Sequence, residues 1–101
     1  MTKILIVDDE ESIRFTFAAF LQGEGYDVRT AKDIGEARSH IDAIPPDLIF
    51  VDILLGGHSG IDILKYVKEQ NLHCPVIIIT GEPSIETAAS AVRLGAFDYA
   101  P

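Results

Sequence analysis

The chain has 101 residues, a length typical of one domain, and 48% of them are hydrophobic, which provides enough apolar surface for a folded core. Its formal net charge of -8, with no basic cluster in the sequence, excludes direct nucleic-acid binding by this segment. Met1-Thr2-Lys3 lacks the features of a signal peptide, and no apolar run reaches the roughly 20 residues that span a bilayer, so we expect a cytoplasmic protein that does not enter a membrane.

Short apolar runs and helical patterns alternate along the whole chain. Three runs rich in Ile and Val predict strands that are buried on both faces. Segments in which apolar residues recur every three or four positions predict helices between the strands. In chain order the predicted elements are strand 4–7, a helix through Ile13 and Leu21, strand 26–30, a helix through Ile34 and Ile41, strand 48–51, a helix through Ile61 and Val67, strand 76–79, a helix through Ile85 and Val92, and strand 96–99.

The strict alternation of strands and helices predicts an α/β fold with an open five-stranded parallel sheet and helices on both faces. In such sheets, ligands bind beyond the carboxyl ends of the strands, where the strand order reverses. In a sheet of order 2-1-3-4-5, strands one and three are neighbours. We therefore expect Asp8 and Asp9, which follow strand one, to lie close to Asp52, which follows strand three. Thr80 follows strand four at the same edge.

Three carboxylates at one edge of a sheet repel one another, by roughly 3 kcal/mol for a pair about 5 Å apart at an effective dielectric constant of 20. A cation is therefore expected among Asp8, Asp9 and Asp52, and an oxygen-only ligand set favours Mg²⁺, with Mn²⁺ as the other candidate. Considered singly, Asp8 and Asp9 could serve only to start a helix, and Asp52 could be a turn residue. Their expected convergence is what indicates a metal site. Glu10 and Glu11 are interpreted as acids that favour the start of a helix.

Four blocks of the sequence resemble the receiver domain of two-component response regulators: IVDDEESIR at 6–14, PDLIFVDILLGGHSG at 46–60, VIIITG at 76–81 and GAFDYAP at 95–101. The resemblance covers residues 1–101 and implies the flavodoxin-like strand order 2-1-3-4-5. It implies a phosphoacceptor signalling domain, not an enzyme, that promotes its own phosphoryl transfer and dephosphorylation.

The resemblance also assigns roles to individual residues. Asp52 resembles the phosphoacceptor. Asp9 resembles a direct metal ligand, Asp8 a neighbour that acts through water, and the backbone carbonyl of Leu54 a further ligand. Thr80 resembles the hydroxyl residue that contacts the attached phosphoryl group. The switch aromatic, which changes rotamer upon phosphorylation, corresponds to Tyr99.

The implied partners are a sensor histidine kinase or phosphotransfer protein, and an output domain or partner protein that reads the face of the fourth helix and fifth strand. Homodimerisation through that face stays open. The block TGEPSIETAASAVRLGAFDY resembles receivers that precede ATPase and DNA-binding output domains, which favours a role in transcription regulation. The family pattern places a lysine three residues after Tyr99 and then a fifth helix. We therefore expect a C-terminally truncated receiver domain with the fifth helix missing and apolar surface uncovered on one sheet face.

Three other functions are alternatives to this one. A Mg²⁺-dependent phosphohydrolase with an Asp nucleophile needs a second acid two residues after Asp52, where Leu54 stands. A flavin-binding module needs a phosphate cradle after strand one, where four acids stand. A receiver-like interaction module that is not phosphorylated fits the missing lysine, but the intact Asp8, Asp9, Asp52 and Thr80 oppose it.

Overall fold

The computed structural model describes residues 1–55, 58–79 and 98–100. Its elements are β1 (Lys3–Val7), α1 (Glu11–Gly23), β2 (Asp27–Ala31), α2 (Ile34–Ala43), β3 (Leu48–Asp52), β4 (Leu54–Leu55), β5 (His58–Ser59), α3 (Ile61–Glu69), β6 (Val76–Ile79) and β7 (Asp98–Ala100). The predicted fourth helix lies outside the described residues. None of the three described helices is long and apolar enough to cross a membrane.

Five strands form one parallel sheet in the order β2-β1-β3-β6-β7, which confirms the predicted α/β fold and the order 2-1-3-4-5 of its main strands. Val7 at the end of β1 pairs with Ala31 on one side and with Val51 on the other. Asp8 directly follows Val7, and Asp52 directly follows Val51. The register therefore places them at equivalent points on the carboxyl edge of the sheet.

The main core lies between the sheet and the pair of helices α2 and α3. Side chains alternate along β3, so Ile49 and Val51 point into this core and are fully buried. The other members of the core cluster are Leu5, Val7, Ala31, Ala37, Ile41, Ile53, Leu55, Ile61, Ile63, Leu64, Val67, Cys74, Val76 and Ile78. Burial on this scale holds the end of β3, and with it Asp52, in a fixed place.

Helix α1 covers the opposite face of the sheet less completely. The rings of Phe17 on α1 and Phe50 on β3 are in contact, with centroids 5.5 Å apart. Phe50, Ile77 and Ile79 on this face are only half-buried, and Phe20 of α1 is 67% exposed. Among the described residues, this face therefore carries apolar side chains that are only partly covered.

A two-stranded antiparallel sheet follows β3, in which Leu54 pairs with Ser59 and Leu55 with His58. A glycine-rich segment such as residues 56–60 is typical of a loop, yet His58 and Ser59 form strand pairs here. Glycine pairs are favoured between paired antiparallel strands, and Gly56-Gly57 separates these two in sequence. The pairing ties the segment after Asp52 to the start of α3.

Candidate functional site at the carboxyl edge of the sheet

Three carboxylates converge at the carboxyl edge of the sheet. Asp8 follows β1, Asp9 is next to it, and Asp52 is the last residue of β3. One carboxylate oxygen from each lies within 4.8 Å of the others. Asp8 is 9% exposed, Asp52 is half-buried and Asp9 is exposed. The strand order therefore produces the convergence that the sequence predicted.

Backbone and side-chain hydrogen bonds fix the connection that carries Asp8 and Asp9. The amide of Asp8 donates to the carbonyl of Ala31 at 3.0 Å and so extends the β1–β2 ladder by one residue. The amide of Glu10 donates to Oδ1 of Asp8 at 2.9 Å, and Nη1 of Arg14 donates to the backbone carbonyl of Asp8 at 2.7 Å. Asp8 is thus held through its amide, its carbonyl and its side chain.

The two glutamates that follow mark the start of α1, as the sequence predicted. Glu10 is the N-cap residue of α1, without a hydrogen bond from its side chain, and Glu11 lies in the first turn. Their negative charges stand at the positive end of the helix dipole. Neither residue belongs to the carboxylate cluster.

Burial raises the pKa of Asp8 above its ordinary value of 3.8, and the neighbouring charges of Asp52, Asp9 and Glu10 raise it further. The hydrogen bond from the Glu10 amide acts in the opposite direction. Desolvation and like charges both oppose the carboxylate form. A cation bound among the three oxygens would remove this penalty.

The carboxylate cluster fits a small divalent cation. Mg²⁺ binds oxygen at about 2.1 Å, so two ligands on opposite sides of one ion are about 4.2 Å apart. The three carboxylate oxygens all lie within 4.8 Å of one another, which is compatible with ligands of one such ion. The donor set contains oxygen alone, which suits Mg²⁺ or Mn²⁺.

Gly60 contacts the backbone of the residue that carries the third carboxylate. A Cβ atom at position 60 would lie 2.2 Å from the carbonyl oxygen of Asp52 and 3.0 Å from Cγ2 of Val51. The amide of Gly60 donates to the carbonyl of Ile53 at 2.8 Å, and the amide of Ile53 donates to the carbonyl of Ile79 at 2.9 Å. Only glycine allows this close approach behind Asp52.

Sequence reasoning did not identify Gly60 or Arg14 as contributors to the site. Gly60 is the last residue of the block PDLIFVDILLGGHSG, and Arg14 is the last residue of the block IVDDEESIR. Only the sequence position of each residue could have indicated a role in the site. Gly60 directly precedes α3, and Arg14 lies in α1, six residues after Asp8.

The remaining predicted site residues are described in part or not at all. Leu54 begins β4, two residues after Asp52. Tyr99 lies on β7, where its backbone is paired with Ile78 of β6. Thr80 lies outside the described residues. It follows Ile79, whose backbone is paired with Asp52.

An open cavity of about 640 Å³ adjoins the carboxylate cluster between α2, α3 and β5. Asp9 lines both the cluster and the cavity, and Lys32, Arg38 and His58 supply basic side chains to the same wall. His58 is exposed. Asp33 and Asp62 line the same wall, so the cavity presents charges of both signs next to the three acids.

An open parallel sheet of this order, with carboxylates from β1 and β3 at its carboxyl edge, places the chain in the flavodoxin-like class of α/β folds. The chain belongs to the response regulator receiver domain family, whose model matches residues 4–101. This agrees with the resemblance found in the sequence. Membership of this family supports neither the phosphohydrolase nor the flavin module.

Known proteins resemble the chain in sequence and in structure. The nitrogen assimilation regulatory protein NtrX of Azorhizobium caulinodans is 44% identical over 98 residues, which cover 95% of this chain and 22% of that protein. The alginate biosynthesis transcriptional regulatory protein AlgB of Pseudomonas putida is 39% identical over 97 residues, covering 96% of this chain and 22% of that protein. The chain thus spans about a fifth of the length of these curated relatives.

A crystal structure of a response regulator from Burkholderia pseudomallei has the same fold, with a TM-score of 0.93 and 33% identity. The match covers 99% of this chain and 59% of that one. That protein contains a phosphorylated aspartic acid, a calcium ion and citrate. The chain is therefore a receiver domain of two-component response regulators.

Proposed function

We propose that Asp52 accepts a phosphoryl group from the phosphohistidine of a sensor kinase or phosphotransfer protein in a Mg²⁺-dependent reaction. The carboxylate cluster carries this proposal, because it unites Asp52 with Asp8 and Asp9 within 4.8 Å. The phosphorylated aspartic acid and calcium ion in the related Burkholderia pseudomallei regulator support it.

In the proposed reaction, a carboxylate oxygen of Asp52 attacks the phosphorus in line with the bond that breaks. An O–P bond forms as the N–P bond breaks, and the bonding pair stays on the departing imidazole nitrogen. Asp8, Asp9 and the backbone carbonyl of Leu54 would hold the metal. Bound there, Mg²⁺ or Mn²⁺ would offset the negative charge shared by the carboxylates and the phosphoryl group. Later attack of water on phosphorus would return Asp52 to its free form.

The signal is proposed to pass through Thr80 and Tyr99. The Thr80 hydroxyl would donate a hydrogen bond to a phosphoryl oxygen on Asp52, and its movement would leave space for the ring of Tyr99 to turn inward. The sheet register supports this route, since Asp52 is paired with the residue before Thr80, and β6 is paired with β7, which carries Tyr99.

The face of β7 and of the segment before it would then report phosphorylation to an output domain, a partner protein or a second copy of the chain. The related AlgB is a transcriptional regulatory protein, which supports transcription regulation in the cytoplasm as the setting. The chain itself would act as a phosphorylated switch whose own residues promote phosphoryl transfer and hydrolysis.

Mass spectrometry of the intact protein tests the proposal. After incubation with Mg²⁺ and acetyl phosphate, we expect a gain of one phosphoryl group, which is lost with Asp52→Asn or with a chelator. Asp62→Asn, which removes one negative charge from the wall of the adjoining cavity, is the matched control and should retain the gain. No gain in either this chain or a version extended through the lysine and fifth helix of the family pattern would favour the unphosphorylated interaction module. Continuous turnover of phosphoesters would favour the phosphohydrolase.

A further inference from the structure

We propose that Arg14 is a positioning residue for the carboxylate cluster, and that it holds the connection between β1 and α1 in the shape that binds the divalent cation. The identity of that cation rests on the proposed function. The contact itself is independent of it, since Nη1 of Arg14 donates to the backbone carbonyl of Asp8 at 2.7 Å in a partly buried setting.

This hydrogen bond affects the orientation of two carboxylates, those of Asp8 and Asp9. The carbonyl of Asp8 belongs to the planar peptide unit that joins the Cα atoms of Asp8 and Asp9. Rotation of that unit changes ψ of Asp8 and φ of Asp9 together and would swing one side chain relative to the other. By holding the carbonyl, the Arg14 side chain fixes the relative direction of both acids.

The other bonds of the connection do not replace this contact. The Asp8 amide is bonded to Ala31, which fixes the connection to the sheet, and the Glu10 amide is bonded to Oδ1 of Asp8, within the connection itself. The Arg14 bond ties the connection to the body of α1, six residues further along the chain. It is a side-chain tie between the acids and the helix, in addition to the bond that the amide of Arg14 donates to the carbonyl of Glu10 at 3.1 Å.

The described bond of Arg14 is a directional hydrogen bond to a neutral carbonyl, although residues 8–11 are all acidic. The same side chain lines an open cavity of about 400 Å³ between α1 and β2, together with Phe15 and Thr30. Truncation at Arg14 would therefore enlarge space that is already open to solvent and would not create a closed void in the core. Arg14→Ala should consequently fold.

Two measurements on Arg14→Ala test the proposal, one of them without metal. Amide hydrogen exchange by NMR in metal-free buffer should show the Glu10 amide exchanging about tenfold faster, while the amides of β3 keep the parent rate. Calorimetric titration with Mg²⁺ should show a Kd about tenfold weaker, the size typical of losing a residue that orients a metal ligand. Arg14→Lys, which keeps the charge and a single donor, should recover part of both losses.

Arg29→Ala on β2 is the control, because it removes the same charge without touching the connection. It should leave the exchange of the Glu10 amide at the parent rate. The Kd ratio of Arg14→Ala to parent should persist at high salt, where contributions of exposed charge are screened. Unchanged Glu10 exchange, an unchanged Kd, or a ratio that vanishes at high salt would each overturn the proposal. A parent protein that does not bind Mg²⁺ would count against the proposed function, while the exchange measurement would still decide the role of Arg14.

Discussion

Replacing Gly60 with alanine tests how tightly the backbone behind the proposed phosphoacceptor is packed. The new Cβ would lie 2.2 Å from the carbonyl oxygen of Asp52, whereas ordinary contacts lie at about 3.5 Å. The two backbone segments must therefore separate by about 1 Å. Val51 is fully buried and Ile53 nearly so, which leaves little room for that movement. Overpacking of this kind costs about 1–3 kcal/mol.

We expect Gly60→Ala to lower the free energy of unfolding by about 2 kcal/mol, which for a domain of this size corresponds to a fall in Tm of about 10 °C. Urea unfolding followed by circular dichroism measures the change. The displaced carbonyl also shifts the carboxylate of Asp52, so phosphorylation by acetyl phosphate should be slower in the variant under conditions where it remains folded.

Gly35→Ala provides a matched control inside α2. Its Cβ would meet nothing nearer than Oδ1 of Asp33 at 3.5 Å, an ordinary contact, and alanine favours a helix over glycine by about 1 kcal/mol. This variant should be as stable as the parent or more so. A Gly60→Ala protein with the parent midpoint in urea would refute the argument from close packing.

Three further predictions follow from the ionisable groups. Because burial and neighbouring charges raise the pKa of Asp8, the folded protein holds that proton to higher pH than the unfolded chain does. This group's contribution to stability therefore falls as pH rises from 3.8 through the raised pKa of the folded protein. Asp8→Asn should raise the urea midpoint at pH 7 and lose this advantage at pH 3, while abolishing Mg²⁺ binding; an equal midpoint at pH 7 would contradict the assigned repulsion. Burial raises the pKa of Cys74 to about 11, so a disulfide reagent at pH 8 should label the thiol only as fast as the protein opens locally. Labelling at the rate of a free thiol would show the assigned burial to be wrong. The hydrogen bond from Tyr66 to Asp42 raises the pKa of the phenol above 10.0. The absorbance difference between the parent and Tyr66→Phe should therefore titrate above pH 10.0, and in an Asp42→Ala background its midpoint should return toward 10.0.

The sequence predicted the parts of the structure that depend on repeated patterns. Unbroken apolar runs located β1, β3 and β6, because strands buried on both faces need no polar alternation. Strict alternation with helices predicted an open parallel sheet, and the resemblance to receiver domains implied the strand order that brings Asp8 and Asp9 to Asp52. The convergence followed from topology and required no knowledge of side-chain contacts.

Such patterns do not predict individual contacts, because each contact depends on how particular residues meet in the folded structure. The bond from Arg14 to a carbonyl depends on a side-chain rotamer, and arginine on a helix is usually solvated, so the pattern gave no reason to single it out. The need for glycine at position 60 arises from a backbone approach across the carboxyl end of β3. The pairing of His58 and Ser59 is a two-residue ladder, too short to leave an alternation in the sequence.

The placement of β1 between β2 and β3 has a consequence for synthesis on the ribosome. One edge of β1 can pair with β2 once the chain has been synthesised as far as Ala31. The other edge can pair only with β3, which is complete at Asp52. At translation rates of about 5–20 residues per second, the intervening chain takes roughly 1–4 s to appear. During that interval Ile4, Leu5, Ile6 and Val7 offer an apolar strand with an unpaired side, the kind of edge that recruits other chains. Slower translation between residues 31 and 52 should therefore increase aggregation of the nascent chain, although the finished protein covers both sides of that strand.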